Sequence, residues 1–74
     1  MLQPSKPFVL VAVTPWGGDI FIEDTDKTGR VGRHETTDRL EQALVFDPKR
    51  DNAELKCRYW STVLPFPVVA RELN

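Results

Sequence analysis

Asp24-Thr25-Asp26-Lys27-Thr28-Gly29-Arg30-Val31-Gly32-Arg33-His34-Glu35 is the stretch whose residue types and spacing come nearest to a binding chemistry. Oxygen-bearing side chains stand at its first, third and fifth positions, a glycine at the sixth, an apolar residue at the eighth and a glutamate at the twelfth. An EF-hand loop wraps calcium in this layout, with the glycine making the sharp turn and the last carboxylate supplying two oxygens. The setting differs from an EF-hand. Ile20-Phe21-Ile22 reads as a strand where an entering helix is needed, Thr28 replaces an acid or amide ligand, and Lys27 and Arg30 add positive charge. The stretch therefore reads first as a polar turn loop, with a calcium-binding loop at residues 24–35 as a lower-ranked function.

The other reactive residue types do not converge. His34 is the only histidine, and Ser5 and Ser61, the only serines, lie in no nucleophile-elbow motif. A catalytic histidine needs both a nucleophile and an orienting acid, so His34 reads as a surface residue beside Glu35. Cys57 stands alone, which excludes an intrachain disulfide and a cysteine-rich zinc site. It reads as a small core residue, although Lys56 and Arg58 beside it would lower its pKa if it were exposed. Gly29-Arg30-Val31-Gly32 lacks the Gly-Lys-Ser/Thr ending of a phosphate loop. No enzyme, cofactor or metal centre is expected.

Contact chemistry is better represented. Trp16 lies in a turn, where an aromatic side chain suits an interface anchor. Arg30, Arg33 and Arg39, with His34, form a basic strip along the chain that could face RNA, phosphate or an acidic protein surface. Trp16, Arg30, Arg33 and Arg39 are the expected partner-binding residues.

These residues must be positioned by one small domain spanning residues 1–74. A chain of this size buries only roughly 60% of the surface its unfolded form exposes, which leaves little material for a supported substrate cleft. With 41% hydrophobic residues the composition is too apolar for a disordered chain. Ten Lys and Arg against eleven Asp and Glu give a net charge of −1, so a nucleic-acid partner ranks second to a protein. The longest apolar run, Phe8 to Val13, is too short to span a bilayer. Without disulfides the cytoplasm is the expected compartment.

Met1 to Pro7 reads as an extended lead-in. Phe8-Val9-Leu10-Val11-Ala12-Val13-Thr14 is apolar on both alternating faces, as in a central strand. Pro15-Trp16-Gly17-Gly18 turns it into a second strand, Asp19 to Glu23, making a hairpin. Arg30 to Glu35 is either loop or a short edge strand. Asp38 with Glu41 has capping-box spacing and opens a short helix to about Leu44. Asp47-Pro48 repeats the start signal for the main helix.

Two patterns then compete. Ala53, Cys57, Trp60 and Leu64 have helical spacing, while Leu55, Cys57, Tyr59 and Val63 alternate with polar residues as in a strand. The helix is preferred. Pro65-Phe66-Pro67 ends it and Val68 to Leu73 forms a closing strand. The expected class is α+β, with a small antiparallel sheet of three or four strands, one main helix and one short helix. An exposed hairpin edge would allow pairing into a homodimer.

The steps Leu40-Glu41-Gln42-Ala43-Leu44-Val45-Phe46-Asp47, Asn52-Ala53-Glu54 and Val68-Val69-Ala70-Arg71-Glu72-Leu73 resemble small accessory proteins of bacteriophages and mobile elements. Ala43 and Phe46 match the Ala-x-x-Phe step and Ala53 the early helix alanine, while His34 and Glu35 replace the aromatic that precedes the Thr-Asp step. The resemblance covers about the last half of the chain and supports the helical reading of Pro48 to Thr62. It implies a class of function. Such proteins, anti-CRISPR proteins among them, bind a host protein or ribonucleoprotein in the host cytoplasm and block it without chemistry.

Overall fold

Residues 4–24 and 36–73 are described in the computed structural model. Phe8–Val13 forms β1, in which every residue except Val13 is buried. Such a strand needs a neighbour along each edge and a cover on each face. β2, Asp19–Ile22, pairs antiparallel along one edge with Val11 opposite Phe21 and Val13 opposite Asp19. The closing strand, Val68–Glu72, pairs antiparallel along the other edge with Leu10 opposite Ala70. A two-residue strand, β3 at Thr36–Thr37, adds to the outer side of β2, and the closing strand is therefore β4, in the order β3-β2-β1-β4. The expected α+β class, hairpin and C-terminal strand are all present. The hairpin closes through Gly17, whose N–H donates to the Thr14 carbonyl at 3.2 Å with φ at +82°, a conformation glycine adopts without a Cβ clash.

β3 covers part of the hairpin's outer edge. β1 is interior, and β2 is paired by β3 at Phe21 and Ile22. Among the described residues the long outer strand is β4.

The main helix, α1, spans Ala53–Val63, which settles the competing patterns over residues 55–63 in favour of the helix. It begins later than the Asp47-Pro48 signal suggests. Asp47 closes a separate turn, accepting the Lys49 N–H on Oδ1 at 3.0 Å and the Asp51 N–H on its carbonyl at 2.8 Å. Asp51 replies by accepting the Asp47 N–H at 3.1 Å. The backbone then becomes extended at Asn52, whose Oδ1 accepts the Leu55 N–H at 3.1 Å and caps α1.

The short helix expected over Asp38 to Leu44 is reduced to a 3-10 turn at Leu40–Gln42. The Asp38–Glu41 capping box does not form, because the N-cap position falls on Arg39. Thr37 supplies the local bonds instead, its Oγ1 accepting the Arg39 N–H and donating to Gln42 Oε1. Residues 43–46 are held in an extended path by the sheet. Leu44 N–H donates to the Ile22 carbonyl, and Phe46 exchanges two backbone bonds with Phe8. Those bonds satisfy backbone groups that a further helical turn would otherwise use.

The two faces of β1 have separate covers. Phe8, Leu10 and Ala12 join Ile22, Phe46 and Val68 beneath Ala53 and Cys57 of α1. Phe46 stacks on Phe8 with ring centres 5.4 Å apart. Val9 and Val11 pack on the opposite face with Phe21, Ala43 and Leu73. Phe8→Ala is expected to cost about 3–5 kcal/mol in urea denaturation, and Asn52→Ala about 1 kcal/mol through loss of the cap. Asp38→Ala, at the position where the expected cap does not form, should stay within about 0.5 kcal/mol of the parent.

Candidate interaction surface

α1 carries more apolar side chains than the sheet accepts. At about 3.6 residues per turn, Ala53 and Cys57 face the sheet and are buried, with Trp60 and Leu64 partly buried against the same core. Leu55, Tyr59 and Val63 follow one another at four-residue spacing and form a ridge on the helix's outer flank. They remain 58%, 50% and 37% exposed. The other outer flank is polar, where Arg58 pairs with Glu54 one turn earlier at 3.1 Å.

A cleft of about 640 Å³ lies between this ridge and the segment leading into the helix. Its apolar lining is Leu44, Phe46, Leu55, Tyr59 and Trp60, and its polar lining is Arg50, Asp51, Asn52 and Lys56. Tyr59 and Trp60 meet edge to face at 5.4 Å. The Lys56 ammonium stands 5.9 Å from the Phe46 ring centre, within cation–π range. A concave surface with an aromatic floor and a few polar groups shares its composition with the usual small-molecule and docking clefts. It has no convergent set of reactive groups. Among the described residues no group of three or more His, Cys, Asp or Glu stands together to hold a metal ion.

Trp16 is 65% exposed at the hairpin turn. Its indole meets Phe66 edge to face at 5.3 Å and lies so close over Gly18 that a Cβ there would be 3.3 Å from the ring. One side of the indole is thus held while much of its surface faces outward. Arg39 is exposed between β3 and the 3-10 turn. Among the described residues no hydrogen bond, ion pair or ring contact joins it to Trp16. Arg30, Arg33 and His34 lie outside the described residues, as does the proposed calcium loop beyond Asp24.

The sequence-based list omits Leu55, Tyr59 and Val63. Their alternation with polar residues suggested a strand, whereas their spacing of four, offset from Ala53 and Cys57, is a second stripe on one helix. That offset was the available signal.

Arg71 on β4 reaches Asp19 on β2 through two hydrogen bonds of 2.9 and 3.3 Å, on the sheet face away from α1. The guanidinium's hydrogen bonds, aided by its charge, hold the exposed Asp19 carboxyl below its ordinary value of 3.8. Burial pushes the Cys57 thiol upward, so it is poorly suited to nucleophilic chemistry. No helix among the described residues is long and apolar enough to cross a membrane. No protein-family model, curated protein or solved structure matches the chain.

Because Asp19 has a lowered folded-state pKa, the Asp19–Arg71 contribution to stability is present above the ordinary carboxylate range. It is lost as pH falls through the folded-state value. The Tm difference between the parent and Asp19→Asn should therefore be present near neutral pH and shrink on acidification; a difference that grows in acid would contradict this sign. Cys57 should react slowly with a thiol reagent in the native protein and rapidly in urea, whereas fast native labelling would contradict its burial.

Proposed function

We propose that this chain is a non-enzymatic protein-binding module that acts by occupying a macromolecular partner through the α1 cleft. The observation that carries this reading is the ridge of Leu55, Tyr59 and Val63, left exposed on a helix that already buries a different face. Burying apolar surface is favourable by about 25 cal/mol per Å², so a partner that covers the ridge gains affinity. A standard interface of about 800 Å² per partner is roughly a sixth of the 5153 Å² surface, so a partner seated on the ridge extends over neighbouring surface as well. Trp16, braced by Phe66, is a further anchor in this reading.

In this reading the partner is a host protein or ribonucleoprotein, as the resemblance to phage accessory proteins implies, and inhibition by occlusion is the outcome. The apolar floor favours a protein over a nucleic-acid backbone, which would call for a basic face.

Tyr59→benzoylphenylalanine, irradiated in bacterial host cells, is expected to yield one dominant cross-linked species that disappears when Leu55→Glu is added. The same photoreactive residue at Val13, on the sheet face away from α1, should not yield it. A diffuse or identical product pattern at the two positions would defeat the reading.

A further inference from the structure

The cleft has a charge character as well as an apolar floor. Arg50 and Lys56 both line it, and among the described residues neither takes a carboxylate partner. The nearby acids keep their charge, and Asp51 lines the cleft as well. Asp51 accepts the Asp47 N–H, Asp47 accepts the Lys49 N–H, and Glu54 is paired with Arg58 on the other flank of α1. With Arg50 and Lys56 against the one carboxylate of Asp51, the cleft lining keeps an excess of positive charge beside an aromatic and aliphatic floor.

Its shape carries a second preference. Leu55, Tyr59 and Val63 make a ridge along the i, i+4 row of α1, and the first two of them line the cleft. Rows of this kind pack into the matching groove of another helix, and amphipathic helices dock in such clefts through apolar anchors three and four residues apart.

Resting on the binding reading above, we infer that the occupant is an amphipathic helix of a partner protein, with Asp or Glu flanking its apolar stripe. Its apolar side chains cover Leu55 and Tyr59, and its carboxylates meet Arg50 and Lys56. The charges select the partner and steer its approach, while the apolar contact supplies most of the affinity.

The test uses two fluorescently labelled helical peptides with the same leucine stripe, one flanked by Glu and the other by Lys, titrated by fluorescence anisotropy. The Glu peptide should bind the parent about tenfold more tightly, equivalent to about 1.4 kcal/mol. The double variant Arg50→Glu, Lys56→Glu should reverse the order by gaining affinity for the Lys peptide, a gain that a misfolded protein cannot produce. Leu55→Glu should weaken both. Equal binding of the two peptides, still lost in Leu55→Glu, would overturn the charge selection and leave the cleft as a binding site. Failure of both peptides to bind would overturn the helix as occupant, while the Tyr59 cross-link judges the binding role separately. A concentration-dependent dimer abolished by Leu55→Glu would make a second copy of this chain the occupant. Binding to phosphatidylserine vesicles with the same Leu55 dependence, and to neither peptide, would make it a lipid surface; either result overturns the inference.

Discussion

β1 must be covered on four sides at once, and the remaining elements can be understood as ways of meeting that demand. Its side chains alternate Phe8, Leu10 and Ala12 on one face with Val9 and Val11 on the other, and all five are buried. Its backbone is paired by β2 along one edge and β4 along the other. An interior apolar strand left open on any side would expose apolar surface or unpaired backbone groups, and both are costly in water. The hairpin turn, the return of the C-terminus beside the N-terminal strand and the capture of Phe46 by Phe8 all serve the same requirement.

A small chain meets this demand with little to spare. The helix-side cover is α1, which approaches the sheet through the small side chains of Ala53 and Cys57. A helix lying on a sheet buries only one stripe, yet α1 carries apolar residues on its outer flank as well. Leu55 and Tyr59 are consequently left in water by the geometry that lets Ala53 and Cys57 make close contact. The sequence and the fold are in local conflict here.

The polar groups around α1 divide by role. Asp47, Asp51 and Asn52 are committed to backbone N–H groups that hold the entering turn and start the helix. Arg58 and Glu54 satisfy each other on one flank. Arg50 and Lys56 remain at the cleft. The same turn that delays the helix start thus builds one wall of the cleft and holds the Asp47 and Asp51 carboxylates on its own backbone N–H groups.

The class, the hairpin, the closing strand and the main helix were legible because each has a local cause. Continuous β-branched and apolar residues make β1, Pro15 to Gly18 make the turn, and Ala53, Cys57, Trp60 and Leu64 share a helical face. The short helix is cut to one 3-10 turn because the capping signal at Asp38 and Glu41 competes with backbone bonds to residues far away in sequence, from Leu44 to Ile22 and from Phe46 to Phe8. Likewise, Asp47 and Asn52 both have side chains that can start a helix, and only the closed turn at 47–51 places that start at Asn52. Trp16 was singled out from its turn, but its brace on Phe66 is a contact between distant segments. Which segments are apolar, which turn and which are helical follows from local backbone preference and periodicity, and can be read along the chain. Which apolar stripe of α1 is buried and which borders a cleft is set by long-range packing, because it depends on which small side chains let the helix reach the sheet.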